Sequence, residues 1–91
     1  MVMDQKPRTV VHFKSEERRT VNEIADFLRV VADKLDTQGS FQIEQAGEQF
    51  DIRPEGNTKL ELKYESKGER HKFEIEIEWK PGQEDKSFTI R

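Results

Sequence analysis

The chain has 91 residues, of which 32% are hydrophobic and 38% are charged, and its formal net charge is −3. This length fits one domain, and the interleaved charges form no basic stripe, which argues against nucleic acid as a partner. Without cysteine the chain has no disulfides and no thiolate chemistry. No apolar run could cross a membrane, and the first ten residues lack the pattern of a signal peptide. We therefore expect a cytoplasmic protein with no membrane partner.

The first predicted element is a strand over Arg8–Ser15, preceded by a flexible leader over residues 1–7. Thr9, Val11 and Phe13 would lie on one face of this strand, because successive side chains in a strand point to opposite faces. β-branched and aromatic residues favour strands. The sequence does not determine which strand is its neighbour.

The second predicted element is an amphipathic helix from about Val21 to Gln38. Thr20 and Glu23 have the spacing of a capping box, and Gly39 suits the left-handed position after a helix. The apolar residues step by three and four positions along one stripe: Val21, Ile24, Leu28, Val31 and Leu35. The polar side is mixed in charge, so the stripe is interpreted as packing in a core and not on a membrane.

Beyond Gly39 the apolar period changes to two, which predicts four antiparallel strands separated by turn-forming residues. The apolar residues of the four strands are, in order, Phe41 and Ile43; Phe50 and Ile52; Leu60, Leu62 and Tyr64; Phe73, Ile75, Ile77 and Trp79. Trp79 continues the last apolar row and is expected to close the core. A short C-terminal strand in Ser87–Arg91 is an option.

These elements predict an α+β fold in a single domain, with the order β-α-β-β-β-β. One amphipathic helix is expected to pack on one face of a four- to five-stranded, mainly antiparallel sheet, because a helix and a sheet each bury one apolar face. The neighbour of the first strand stays open.

Two registers are open for the hairpin formed by the last two of the four strands. One closes on Lys67-Gly68 and places Lys63 opposite Lys72. The other closes on Gly68-Glu69 and places Lys63 opposite Glu74. We prefer the second, because facing opposite charges stabilise a sheet and a leading glycine suits a type II′ turn.

The preceding hairpin contains the same dipeptide, at Gly47-Glu48. A turn on this dipeptide predicts that Ile43 faces Ile52. A G1 bulge at either glycine is an alternative.

The order of features along the chain matches a known family. The features are the segment FKSEE (residues 13–17), the helix VNEIADFLRVVADKLD, Gly39, the short amphipathic strands and the final FEIEIEW. From about Val11 to Trp79 the chain resembles the amphi-Trp domain family. The resemblance implies a small prokaryotic domain, stand-alone or appended, and implies no activity or catalytic residue. We assign the domain to residues 8–79, and a loop and C-terminal extension to residues 80–91.

The outer face of the last two strands is the candidate interaction face, which we call the charged face. Its members are Lys59, Glu61, Lys63, Glu74, Glu76 and Glu78. The preferred register gives two of the glutamates lysine partners, which favours a solvated or docking face over a catalytic row. His12 and His71 are interpreted as residues of the surface or of the rim of the core.

We therefore predict a small non-enzymatic interaction domain, with no catalytic, cofactor-binding or metal-binding residue and no cofactor. It would bind an unknown protein partner, or a second copy, through the charged face or an edge strand. The alternative is a small hydrolase or ligand-processing enzyme that uses the glutamate row. That alternative requires a carboxylate with a strongly raised pKa inside a cleft.

Overall fold

A computed structural model describes residues 7–81 and contains one helix and two antiparallel hairpins. The elements are α1 (Val21–Gln38), β1 (Phe41–Gln45), β2 (Glu48–Ile52), β3 (Lys59–Lys67) and β4 (Arg70–Glu78). The α+β class and the antiparallel pairing are confirmed. The expectations for most of the leader, for the extension from residue 82 onward and for Ser87–Arg91 lie outside the described residues.

Helix α1 begins and ends at the residues that its capping signals predict. The Thr20 hydroxyl accepts from the Glu23 amide, and the Glu23 carboxylate accepts from the Thr20 amide, each over 3.2 Å. Gly39 takes a left-handed φ of 70° and donates its N–H to the Leu35 carbonyl over 3.0 Å. Both ends therefore satisfy backbone groups that a helix otherwise leaves unpaired.

The β3–β4 hairpin has the preferred register. Lys63 faces Glu74 and Tyr64 faces Phe73, and the turn falls on Gly68-Glu69. Gly68 has a φ of 60°, which suits the first central position of a type II′ turn. This register confirms the prediction made from facing charges and the leading glycine.

The register predicted for the β1–β2 hairpin is wrong. Ile43 faces Phe50, and Phe41 faces Ile52, so the turn falls on Ala46-Gly47. In the observed register all four apolar residues of the hairpin face another apolar residue. In the predicted register only Ile43 and Ile52 would do so. On the polar face, the Gln42 amide donates to the Asp51 carboxylate over 2.6 Å.

The predicted first strand is also wrong, because residues 7–20 have no regular secondary structure. Part of this segment packs on the first hairpin through side chains instead of a backbone ladder. The Phe13 and Phe50 ring centroids are 6.1 Å apart, and the Gln45 side-chain amide donates to the Lys14 carbonyl over 3.3 Å.

The four predicted strands do not join into one sheet within residues 7–81. They form two separate two-stranded sheets, and β3–β4 approaches neither α1 nor the first hairpin. A tight turn fixes the register inside a hairpin, but the six-residue connection over residues 53–58 leaves the pairing of β2 with β3 unspecified.

The predicted helix-on-sheet core is absent from the described part of the chain. Helix α1 contacts β1 alone among the strands, and the Arg53 guanidinium donates to the Gln38 carbonyl over 3.4 Å near the helix end. Ser40 is the one buried residue among those described, and no apolar residue there is buried. Trp79 is half-buried, so the prediction that it closes a core is wrong.

Replacement of Ala46 by asparagine should stabilise the first hairpin. Ala46 has a φ of 52° and Gly47 a φ of 82°, the signature of a type I′ turn in which Asn-Gly is preferred. The left-handed region costs an ordinary residue roughly 1–2 kcal/mol, and asparagine tolerates it better than alanine. We therefore expect Ala46→Asn to raise the free energy of unfolding by about 1 kcal/mol, measured by thermal or urea denaturation followed by circular dichroism.

Gly47→Ala is the control for this turn. No atom lies within 4 Å of a Cβ added there, so its cost comes from backbone strain alone. It should lower the stability, and an Ala46→Asn chain no more stable than the parent would contradict the turn assignment.

Candidate functional site

The β3–β4 register brings the six residues of the candidate interaction face together. Their three facing pairs are Lys59 with Glu78, Glu61 with Glu76, and Lys63 with Glu74. The alternation of the strands places all six on the face opposite the apolar row. The six residues therefore share one face of the hairpin, and their role as a contact surface stays a prediction.

Glu74 is the charge-stabilised carboxylate of the face. Lys72 Nζ lies 2.7 Å from Glu74 Oε1, so its hydrogen bond and positive charge lower the pKa of Glu74, with a smaller contribution from Lys63. The same contact raises the pKa of Lys72. Lys63, which faces Glu74, instead lies 3.4 Å from the Glu65 carboxylate. The register was predicted correctly, but the ion pair of Glu74 runs along its own strand.

Glu76 has the opposite environment. It faces Glu61 across the hairpin and lies two residues from Glu78 on the same strand face. A hydrogen bond shared with Glu61, a second one with Glu78 and the repulsion from both carboxylates raise the pKa of Glu76 to about 7. Burial contributes least, so the cause is the crowding of like charges. At neutral pH this group is about half protonated.

The concavity on this face is small. Its volume is about 180 Å³, and it is lined by Glu61, Lys63, Glu74 and Glu76. Small-molecule sites usually occupy roughly 300–1,000 Å³. The Lys63 side chain is 60% exposed and that of Glu74 is 42% exposed, so water reaches this surface. The arrangement is better suited to contacts with another surface than to enclosing a substrate.

A larger concavity lies at the open end of the hairpin, beside Trp79. Its volume is about 510 Å³, and its lining includes Asn57, Ile77, Glu78 and Trp79. Glu78 is the member of the charged face that reaches it. Trp79 therefore borders a surface depression, whereas the sequence predicted that it would close a core.

Sequence reasoning missed two pairings that the correct register already contains. One is the facing pair Glu61 and Glu76. The other is Tyr64 with His71: the Tyr64 hydroxyl lies 2.7 Å from His71 Nδ1, and the two rings are stacked with centroids 6.0 Å apart. His71 faces Ser66, so Tyr64 is its diagonal neighbour, and diagonal neighbours are within reach of long side chains. Extending the predicted register along the whole hairpin would have identified both.

Residues 7–81 show neither a metal-binding cluster nor a membrane-spanning helix. No three His, Cys, Asp or Glu side chains there are grouped so that they could hold a metal ion. No helix in the same range is long and apolar enough to span a bilayer.

Comparison with known proteins supports the resemblance noted in the sequence. The model of one family, described as the Amphi-Trp domain, matches residues 6–91, so the match continues beyond Trp79. Comparisons with curated proteins and with solved structures give no match.

The pH dependence of stability should reveal the raised pKa of Glu76. Its folded pKa of about 7 lies above the ordinary value of 4.5, so the folded chain binds this proton more tightly than the unfolded chain. The resulting stabilisation is complete below pH 4.5 and is lost as the pH rises through about 7. We expect Glu76→Gln to remove this loss, measured by denaturation between pH 4 and pH 8.

Glu74→Gln is the matched control, because the pKa of Glu74 is lowered. The stabilisation from Glu74 is present above its unfolded pKa and is lost as the pH falls through the lower folded value. The two variants should therefore change the stability in different pH ranges. An NMR titration midpoint near 4.5 for Glu76 would contradict the assigned environment.

Proposed function

This chain belongs to the Amphi-Trp domain family, and we propose that it is a small non-enzymatic interaction domain that binds another protein chain through the charged face of β3–β4. The family match supplies no activity, so the proposal comes from the surface itself. Its main support is that six charged side chains lie on one exposed face of a single hairpin.

The charge pattern of this face favours a partner with its own ordered charges. Lysines stand at two of the three facing pairs, and the central pair is Glu61 with Glu76. A partner with a cation opposite this central pair would relieve the repulsion between the two carboxylates. Electrostatic complementarity of this kind contributes mainly to specificity and association rate.

The edges of the hairpin give the proposal a second contact. β3 and β4 have nine residues each, and each pairs only with the other within residues 7–81. The outer edge of a strand presents unpaired N–H and C=O groups that can accept another strand. A partner strand added there would lie next to the charged face and could contact both surfaces.

The enzymatic alternative has one favourable observation, the raised pKa of Glu76. A general acid or base needs such a shift, but it also needs a position against a bound substrate. Glu76 lines a concavity of about 180 Å³, and its shift comes from neighbouring carboxylates and not from enclosure. The interaction role therefore has the stronger support.

Charge reversal on the face tests the proposal. The titrants are proteins encoded by genes next to this one, added to the isotopically labelled chain and followed by NMR. We expect binding to shift the backbone signals of the charged face, to weaken several-fold in Lys63→Glu and to weaken with added salt.

Lys14→Glu is the matched control, because it makes the same charge change on an exposed residue outside the hairpin. Its affinity should equal that of the parent chain. Shifts confined to residues outside β3–β4, or equal weakening in both variants, would contradict the charged face as the contact surface.

A further inference from the structure

Two apolar surfaces of the described chain are uncovered. We name the first the helix stripe, with Val21, Ile24, Phe27 and Leu28, whose exposed fractions are 43–81%. We name the second the hairpin face, with Leu60, Leu62, Tyr64, Phe73 and Ile75, whose exposed fractions are 49–66%. The β3–β4 register places all five hairpin residues on one side.

Each surface needs a covering partner for stability. A single two-stranded hairpin is marginally stable in water, and an isolated helix of 18 residues is little better without packing on its apolar side. Contiguous apolar patches of this kind usually mark a contact with another surface. Neither surface covers the other inside this chain, because α1 and β3–β4 do not contact each other.

The two surfaces match in size. From Val21 to Leu28 the helix rises about 10 Å, at 1.5 Å per residue. From Leu60 to Tyr64 strand β3 extends about 13 Å, at 3.3 Å per residue. A helix stripe therefore spans most of a hairpin face, and a helix on one apolar side of a sheet is a standard layer arrangement.

We propose that a second copy of this chain covers both surfaces: the helix stripe of each copy packs on the hairpin face of the other copy, around a twofold axis. This dimer goes beyond the proposed function, because it uses the two apolar surfaces and not the charged face. Twofold symmetry accounts for both surfaces together, because each copy supplies one stripe and one face. A single foreign helix on the hairpin face would leave the stripe exposed.

The buried area is sufficient for a stable dimer. Complete burial of a Val, Leu, Ile or Phe side chain stabilises by about 1.5–3 kcal/mol. At about 25 cal/mol per Å², this free energy corresponds to a buried apolar area of roughly 60–120 Å² per side chain. The two surfaces together have eight such side chains and Tyr64, each between 43% and 81% exposed. They give on the order of 300–600 Å² of apolar side-chain area per copy. Flanking polar atoms add to this area, and standard interfaces bury about 800 Å² per partner, of which roughly 60% is apolar.

The dimer leaves the charged face accessible. Lys59, Lys63 and Glu74 point away from the hairpin face, because alternate residues of a strand lie on opposite sides. The net charge of −3 per chain adds only a mild repulsion between copies. Two charged faces would then be displayed by one dimer, which increases the avidity for a repeated partner.

The test measures the mass of the full chain by analytical ultracentrifugation over a range of concentrations. We expect a dimer, and we expect Phe27→Asp and Phe73→Asp each to raise its dissociation constant at least about tenfold. Glu61→Gln, on the opposite side of the hairpin, is the control and should leave the mass unchanged. Circular dichroism of each variant shows whether the helix is retained.

Mixing distinguishes the proposed contact from a contact between two hairpin faces. A Phe27→Asp copy keeps its hairpin face, and a Phe73→Asp copy keeps its helix stripe. Their heterodimer has one intact contact, so the equimolar mixture should associate more strongly than either variant alone. A dimer whose dissociation constant is unchanged by Phe27→Asp would overturn the helix-on-hairpin contact.

Cross-linking distinguishes exchange between copies from closure within one chain, and the natural chain lacks cysteine. An equimolar mixture of Leu28→Cys and Leu62→Cys copies should form a mixed disulfide dimer. A monomer at all concentrations, or a double variant that cross-links only within itself, overturns the dimer. In that case, changes in the backbone NMR signals of the charged face on addition of a protein partner would still support the proposed function.

Discussion

The pairing of β3 with β4 is the constraint on which the other properties of this molecule depend. Gly68, with its positive φ, closes the turn in the register that faces Tyr64 with Phe73. A shift by one residue would exchange the two faces of a strand. The separation of a charged side from an apolar side, and the contact of Glu61 with Glu76, both follow from this turn.

The sequence predicted local structure well because the signals for it are local. Thr20, Glu23 and Gly39 determine the ends of the helix through contacts within one turn. Gly68 and the facing charges determined the register of β3–β4. The six members of the charged face followed from that register together with the alternation of a strand.

The wrong predictions concern features for which the sequence pattern is compatible with more than one structure. Either register of the first hairpin faces apolar residues with each other, and the structure adopts the one that pairs all four. The alternation over Arg8–Ser15 indicated a strand, but a strand also requires a partner edge, and Phe13 contacts Phe50 through side chains. Alternation likewise shows which side of each hairpin is apolar without specifying what covers it.

The charged face also has a property that depends on protons. Glu76 is about half protonated near pH 7, because Glu61 and Glu78 lie beside it. A cation placed next to this group would favour the carboxylate, and the displaced proton would pass to the buffer. The heat of such an association would then depend on the ionisation enthalpy of the buffer, so calorimetry in two buffers would count the protons released. A contact at this face is therefore also an exchange of protons with the solution.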